Sequence, residues 1–191
     1  MTGREWAKGF SPAALYLADE LCEKGECTIV DCGAGEGRHC VYAAKLGARV
    51  IAIEIDPEQA AIILKKKEAG GFHNLEVVEG DVMTMLPKII NASVDGIIDV
   101  GMSHYLAGQQ KARFAALVHS KLRAGGLYAT SHFSDNEPPH PEGGIHTATL
   151  KELRQIYPEC KWQEAKAWQE VKWAGSNNIT HSAWTAVLKK V

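Results

Sequence analysis

Short β-branched runs alternate with stretches of helical composition between residues 28 and 133, and this alternation constrains the fold more than any other feature. Thr28–Cys32 (TIVDC), Arg49–Glu54 (RVIAIE), Leu75–Glu79 (LEVVE), Val94–Val100 (VDGIIDV) and Gly126–Phe133 (GLYATSHF) each read as a buried strand. Ser11-Pro12 opens a helix over residues 11–24, as a capping residue followed by a proline suited to a first helical turn. Residues 39–48 (HCVYAAKLGA) are helical in composition. Asp56-Pro57 opens a third helix that stops near Gly70-Gly71, and Gln109–Leu122 is an amphipathic helix expected to end at Gly125-Gly126. Strands separated in this way need crossover connections and therefore a parallel sheet. Right-handed crossovers place the loops that follow the strands along one edge.

After residue 133 the pattern changes. Residues 134–146 (SDNEPPHPEGGIH) are rich in Pro, Gly and charge and read as an exposed loop. Thr149 and Glu152 have capping-box spacing, and Pro158 ends the helix they begin. Residues 161–173 and 181–188 read as two strands joined by the turn composition Gly175-Ser176-Asn177-Asn178, which makes them antiparallel neighbours.

The chain has 191 residues, enough for one domain. Its 21 basic and 23 acidic residues leave a net charge of −2, whereas a dedicated nucleic-acid binder carries a strong basic excess. No apolar run reaches the length of a membrane span, and the N-terminus lacks the basic start and apolar core of a signal peptide. Five sparse cysteines (Cys22, Cys27, Cys32, Cys40 and Cys160) read as reduced thiols in the cytoplasm, and their spacing suits no zinc site.

The segment Asp31-Cys32-Gly33-Ala34-Gly35-Glu36-Gly37-Arg38 joins the first strand to the next helix. Its glycines permit positive φ and let the backbone approach a ligand closely. Glu54 ends the next strand, where an acid can accept hydrogen bonds from ribose hydroxyls. The glycine spacing puts Arg38 where a dinucleotide fingerprint has its third glycine. Asp31, just before the loop, would repel a pyrophosphate and attract an ammonium or sulfonium group.

These residues resemble the first motif of class I S-adenosylmethionine-dependent methyltransferases, acid-x-Gly-x-Gly-x-Gly. The resemblance implies an α/β, Rossmann-like fold: a seven-stranded, mostly parallel sheet with an antiparallel last strand and helices on both faces. It further implies S-adenosyl-L-methionine as cofactor and S-adenosyl-L-homocysteine as product. Asp31 and the backbone of Gly33, Gly35 and Gly37 would hold the methionine portion and Glu54 the ribose, with Arg38 and Ile55 also counted among the cofactor-binding residues. Asp81 and Val82 match the adenine-contact position, and Asp99 and Val100 the fourth motif near the methionine end. A closer similarity runs through GEGRHCVYAAKLGARVIAIEID to the small tellurite-resistance and thiopurine methyltransferases. Two departures are Cys32-Gly33-Ala34, where a second cysteine is common, and Glu54, where aspartate is usual.

On this reading residues 1–27 form an N-terminal helix and lid, 28–133 the cofactor-binding core, and 134–191 a substrate-side loop, helix and final hairpin. The implied partner is a small-molecule methyl acceptor, with no nucleic acid and no membrane, and the chain is a monomer or homodimer. His104, in GMSHYL after the fourth strand, is the candidate base, since an imidazole titrates at about 6.5. Tyr105 would orient the substrate. His132, His140 and His146 have no standard metal spacing, so no metal is expected. Trp6 and Phe10 could fold over the cofactor. Trp162, Trp168 and Trp173 read as strand packing, Cys40 as core and Lys65-Lys66-Lys67 as a solvated helix face. Two alternatives stay open: a nicotinamide-dependent oxidoreductase and a non-catalytic cofactor-binding module.

Overall fold

A computed structural model describes residues 9–138, 144–174 and 180–191. The elements run α1 (Pro12–Cys22), β1 (Thr28–Cys32), α2 (Arg38–Lys45), β2 (Arg49–Glu54), α3 (Pro57–Gly70), β3 (Leu75–Glu79) and α4 (Val82–Met85). They continue with β4 (Val94–Val100), α5 (Gln109–Lys121), β5 (Leu122–Phe133), α6 (Leu150–Ile156), β6 (Trp162–Ala174) and β7 (Thr180–Lys190). The seven strands form one sheet in the order β3-β2-β1-β4-β5-β7-β6. Only β7 is reversed: it lies antiparallel to both β5 and β6, and the other pairings are parallel.

Both faces of the sheet are covered, as parallel strands built from continuous apolar runs require. One face packs Ile29, Val50, Ile98 and Ala129 against Leu17 of α1, Ala43 of α2 and Ile63 of α3. The other packs Val30, Ile97 and Tyr128 against Phe114 and Val118 of α5 and Leu153 of α6. Trp162 and Trp168 join that second core, and Cys40 lies in the first.

The caps explain several boundaries. Asp56 accepts the Glu58 N–H at the start of α3. Thr149 and Glu152 form the reciprocal capping box of α6. Ser11 starts α1, but not through its side chain; its backbone N–H donates to Nε2 of His39 at 3.0 Å. Burial lowers the pKa of His39 to about 4, so the ring keeps that acceptor lone pair at neutral pH.

Helix α5 ends at Lys121, one residue before the expected Leu122, but β5 begins four residues before the expected Gly126. Leu122 is already extended, and β5 runs on through Gly125 and Gly126, with a register shift opposite Val94–Gly96. Lys121 secures this junction by donating to the carbonyls of Pro87 and Ile89 and to Oδ1 of Asn91. Helix α4 went unforeseen, because four residues are too few to show a period; its signal is the Asp81 side chain accepting the Met83 N–H. Among the described residues, no helix is long and apolar enough to cross a membrane. Expectations for Trp6, His140, the Trp173 side chain, the turn over 175–178 and the lid segments 1–8 and 139–143 lie outside the described residues.

Candidate functional site

The ends of β1 to β4 lie at one edge, and those of β1, β2 and β3 are tied together by hydrogen bonds from backbone N–H groups. Gly33 and Ala34 donate to the Ile53 carbonyl at 2.9 and 3.1 Å. Gly35 donates to Oε2 of Glu54 at 2.6 Å, and Asp56 donates to Oε1 at 2.9 Å. Gly80 donates to the Glu54 carbonyl at 2.8 Å. Glu54 thus pins the glycine loop to the neighbouring strand end, and each of its carboxylate oxygens keeps a further lone pair. Ile55 beside it is 64% exposed, an apolar surface at the rim.

Two glycines serve different purposes. A Cβ on Gly33 would come within 2.7 Å of Cβ of Met102, so this residue lets the loop after β4 close against the loop after β1. Gly35 has φ +55°, and a Cβ there would meet nothing within 4 Å. The backbone at Gly35 therefore borders open space.

Asp31 is the electrostatic centre of this edge. It is 2% exposed, and its Oδ2 makes no hydrogen bond among the described residues. Burial pushes its carboxyl up to about 7, against a lowering effect of the Cys40 backbone, and the carboxylates of Asp99 and Glu54 push it further. A buried carboxylate in this state lacks a cation. An ammonium-bearing ligand running over the glycine loop would meet that need, and Glu54 and Ile55 would meet a ribose and an adenine beyond it. The residues present fit S-adenosylmethionine.

Two expected contacts are corrected. Arg38 does not turn into this edge: its guanidinium donates to the Gly9 carbonyl at 2.6 Å and lines a groove outside α2 and α3. Asp99 does not offer its carboxylate to the cofactor side. Asp31 pairs with Ile98, so Asp99 points to the opposite face of the sheet. There it accepts from Tyr128 Oη at 2.8 Å, Thr130 Oγ1 at 3.4 Å and the N–H groups of Met102 and Ser103 at 3.3 and 3.0 Å. Burial raises its pKa, and these donors oppose the rise. Asp99 serves the site by holding the loop that carries Met102 and His104. Asp81 spends part of its acceptor capacity capping α4 and Val82 is buried, so the turn at 80–82 offers mainly backbone. Val100 ends β4 on the same side as Asp31.

His104 lies in a 3₁₀ turn, Ser103–Tyr105, and is buried. Its ring stacks on Phe133 at 4.5 Å, contacts Tyr105 at 4.6 Å and meets His132 edge-on at 6.1 Å. Its carbonyl accepts the His146 N–H at 2.7 Å. Tyr105 is 61% exposed. His132 is buried; burial first, and the charge of Lys111 second, lower its pKa to about 4, so it is neutral at pH 7. Phe133 and His146 were missed as partners of His104. Position alone marks Phe133, since it ends β5 at this same edge. Among the described residues no three His, Cys, Asp or Glu side chains are grouped to hold a metal ion.

Comparison with known proteins fits this geometry. A family profile described as a methyltransferase domain matches residues 29–126, about half the chain. The chain is 28% identical over 143 residues to the tRNA (guanine-N(7)-)-methyltransferase of Shewanella oneidensis, covering 69% of this chain and 58% of that protein. Across the first curated relatives it matches, the chain spans between 22% and 58% of their lengths. Among solved structures, TehB from Haemophilus influenzae superposes with TM-score 0.79 at 18% identity, over 96% of this chain and 63% of that one. The Burkholderia thailandensis 1,6-didemethyltoxoflavin-N1-methyltransferase, with 1,6-didemethyltoxoflavin and S-adenosylhomocysteine bound, gives TM-score 0.72 at 20% identity over 94% of this chain and 77% of that one. The acid-and-glycine loop, the strand order and the profile match agree, and the chain belongs to the methyltransferase-domain family, the class I S-adenosylmethionine-dependent methyltransferases.

Proposed function

We propose that this protein transfers the methyl group of S-adenosylmethionine to a small-molecule acceptor, as a cytoplasmic monomer or homodimer without nucleic-acid or membrane partners. The observation that carries the reading is the buried, unpartnered Oδ2 of Asp31 beside a glycine loop already pinned by Glu54. When bound, the cofactor supplies a methyl group on a good leaving group. The chain's own task is then positioning, which can contribute about 7–11 kcal/mol to a bimolecular reaction. Asp31 holds the ammonium, Glu54 the ribose hydroxyls, and Ile55 with the turn at Asp81 and Val82 flanks the adenine. The backbone of Gly33, Gly35, Gly37 and Val100 lines the path between them. His104 takes the proton that a hydroxyl, amine or thiol acceptor loses, and the exposed Tyr105 ring orients that acceptor.

A small acceptor is favoured by the net charge of −2 and by a neighbour whose bound ligand is 1,6-didemethyltoxoflavin. The tRNA-modifying relative points the other way. Five free cysteines support a reducing compartment. Calorimetric titration with S-adenosylmethionine and S-adenosylhomocysteine tests the cofactor site, and absence of binding at millimolar ligand overturns it. Cofactor-turnover assays over thiols, phenols, amines and oxyanions, with an RNA arm, then test the acceptor class.

Two substitutions probe the loop. Gly35→Ala adds a methyl group to open space at φ +55°, so it costs about 1 kcal/mol in backbone strain. The expected outcome is a melting temperature a few degrees lower with cofactor affinity reduced at least tenfold, read by thermal melts and calorimetry. Glu54→Ala removes the acceptor of two backbone N–H groups as well as the proposed ribose contact. Cofactor binding weakens by about 1–3 kcal/mol; unchanged affinity would discredit the ribose assignment.

A further inference from the structure

A cavity of about 470 Å³ opens outside α2 and α3, behind the glycine loop. That volume lies within the range of about 300–1,000 Å³ typical of small-molecule sites. Its lining combines three aromatic rings, Phe10, Tyr42 and Phe72, with three cations, Arg38, Lys45 and Lys66. Among the described residues no aspartate or glutamate lines it, although the chain as a whole carries a net charge of −2.

The cations are only partly engaged. Arg38 donates to one carbonyl, that of Gly9, at 2.6 Å. Lys66 donates to the Glu36 carbonyl at 2.6 Å, with the Glu36 carboxylate 3.8 Å away and exposed. Such an exposed pair adds little stability and leaves the ammonium available. Lys45 ends α2, is exposed, and has neither hydrogen bond nor ion pair among the described residues. The run Lys65-Lys66-Lys67, which composition reads as a solvated face, thus contributes one member to a concave surface with an aromatic floor. Rings prefer to meet a ligand's ring by stacking or edge contact, and charged donors bind anionic oxygens strongly.

We propose that this groove binds a small aromatic anion, a ring system bearing a carboxylate, sulfonate or phosphate, at a site separate from the cofactor edge. The rings of Phe10, Tyr42 and Phe72 take the ligand's apolar body, and Lys45 and Lys66 take its head from the rim.

The probe is 8-anilinonaphthalene-1-sulfonate, titrated by fluorescence into the full chain with and without saturating S-adenosylhomocysteine. One saturable site is expected, retained when S-adenosylhomocysteine is present. It weakens at least tenfold in Lys45→Glu/Lys66→Glu and to an intermediate degree in Lys45→Gln/Lys66→Gln. Both lysines are exposed, so thermal melts of the variants should match the parent. Three results overturn the proposal: no saturable binding, parental affinity in the charge-reversed variant, or full displacement of the probe by S-adenosylhomocysteine. An oligonucleotide binding the groove more tightly than the aromatic probe, by the same lysine test, also overturns it. The proposal does not rest on methyl transfer: failure of S-adenosylhomocysteine to bind defeats the proposed function and leaves the probe titration to be judged alone.

Discussion

Asp31→Asn abolishes most cofactor affinity at about pH 8 and, in the same conditions, raises the melting temperature of the cofactor-free protein. The two effects share one cause. Asp31 titrates at about 7 in the fold, well above its ordinary value of 3.8. The folded state therefore holds this proton more tightly than the unfolded state does. Stability from this group is full at low pH and is lost as pH rises from about 4 through about 7. At about 1.4 kcal/mol per unit, the carboxylate costs the free protein up to roughly 4 kcal/mol above neutral pH. Asparagine cannot ionise, so it escapes that cost. It also cannot neutralise an ammonium, and losing such a charged hydrogen bond weakens binding by about 3 kcal/mol, roughly a hundredfold.

The same linkage gives a pH profile for the unaltered protein. Cofactor affinity climbs about tenfold per unit below pH about 7 and flattens above it, because binding selects the ionised carboxyl. Calorimetry in buffers of different ionisation heat should register a proton released on binding near neutral pH. Affinity that stays level from about pH 6 to 8, or an Asp31→Asn protein that melts no higher than the parent, removes the ammonium contact from the account.

His104→Ala acts on the other half of the reaction. Turnover falls at least tenfold, and as much as about 10²–10⁴-fold if the acceptor's proton is hard to remove. Affinity for S-adenosylhomocysteine stays nearly constant, since no cofactor contact is lost. The ring is wedged against Phe133 and Tyr105, and alanine leaves a gap there. His104→Gln fills much of that gap without restoring a base. A drop in kcat shared by both variants, with KM little changed, assigns the effect to proton transfer rather than packing. Equal turnover in either variant takes His104 out of the mechanism. Together the Asp31 and His104 variants separate binding from chemistry.

The strands of the core were legible because a parallel strand covered on both faces must be apolar throughout, and such runs stand out between helical stretches. Thr28–Cys32, Arg49–Glu54 and Leu75–Glu79 begin and end where the pattern places them. Asp31 and Glu54 were equally visible, as acids at strand ends beside glycines. What stayed hidden was the direction of single side chains. Asp99 ends a strand at the right edge, yet a strand alternates faces, and only its pairing with β5 shows that it shares a face with Thr130. Arg38 shows the same limit on a helix: one position after Gly37 turns the guanidinium outward to Gly9. The early start of β5, at Leu122 where the pattern places Gly126, was hidden for another reason. Gly125-Gly126 reads as a break between elements, but Lys121 ties the junction to the carbonyls of Pro87 and Ile89 and the strand runs on through the glycines.

The two borders of the sheet bear on how this protein behaves when crowded. Strand β3 is five residues long, with Glu76 and Glu79 exposed. Strand β6 is longer, but its pairing slips twice, around Lys166, and Lys166 and Lys172 project from it. Short length, irregular pairing and charge each discourage another chain from adding itself to an open ladder. Growth of fibrils or stacked sheets from either border is therefore opposed by the fold itself.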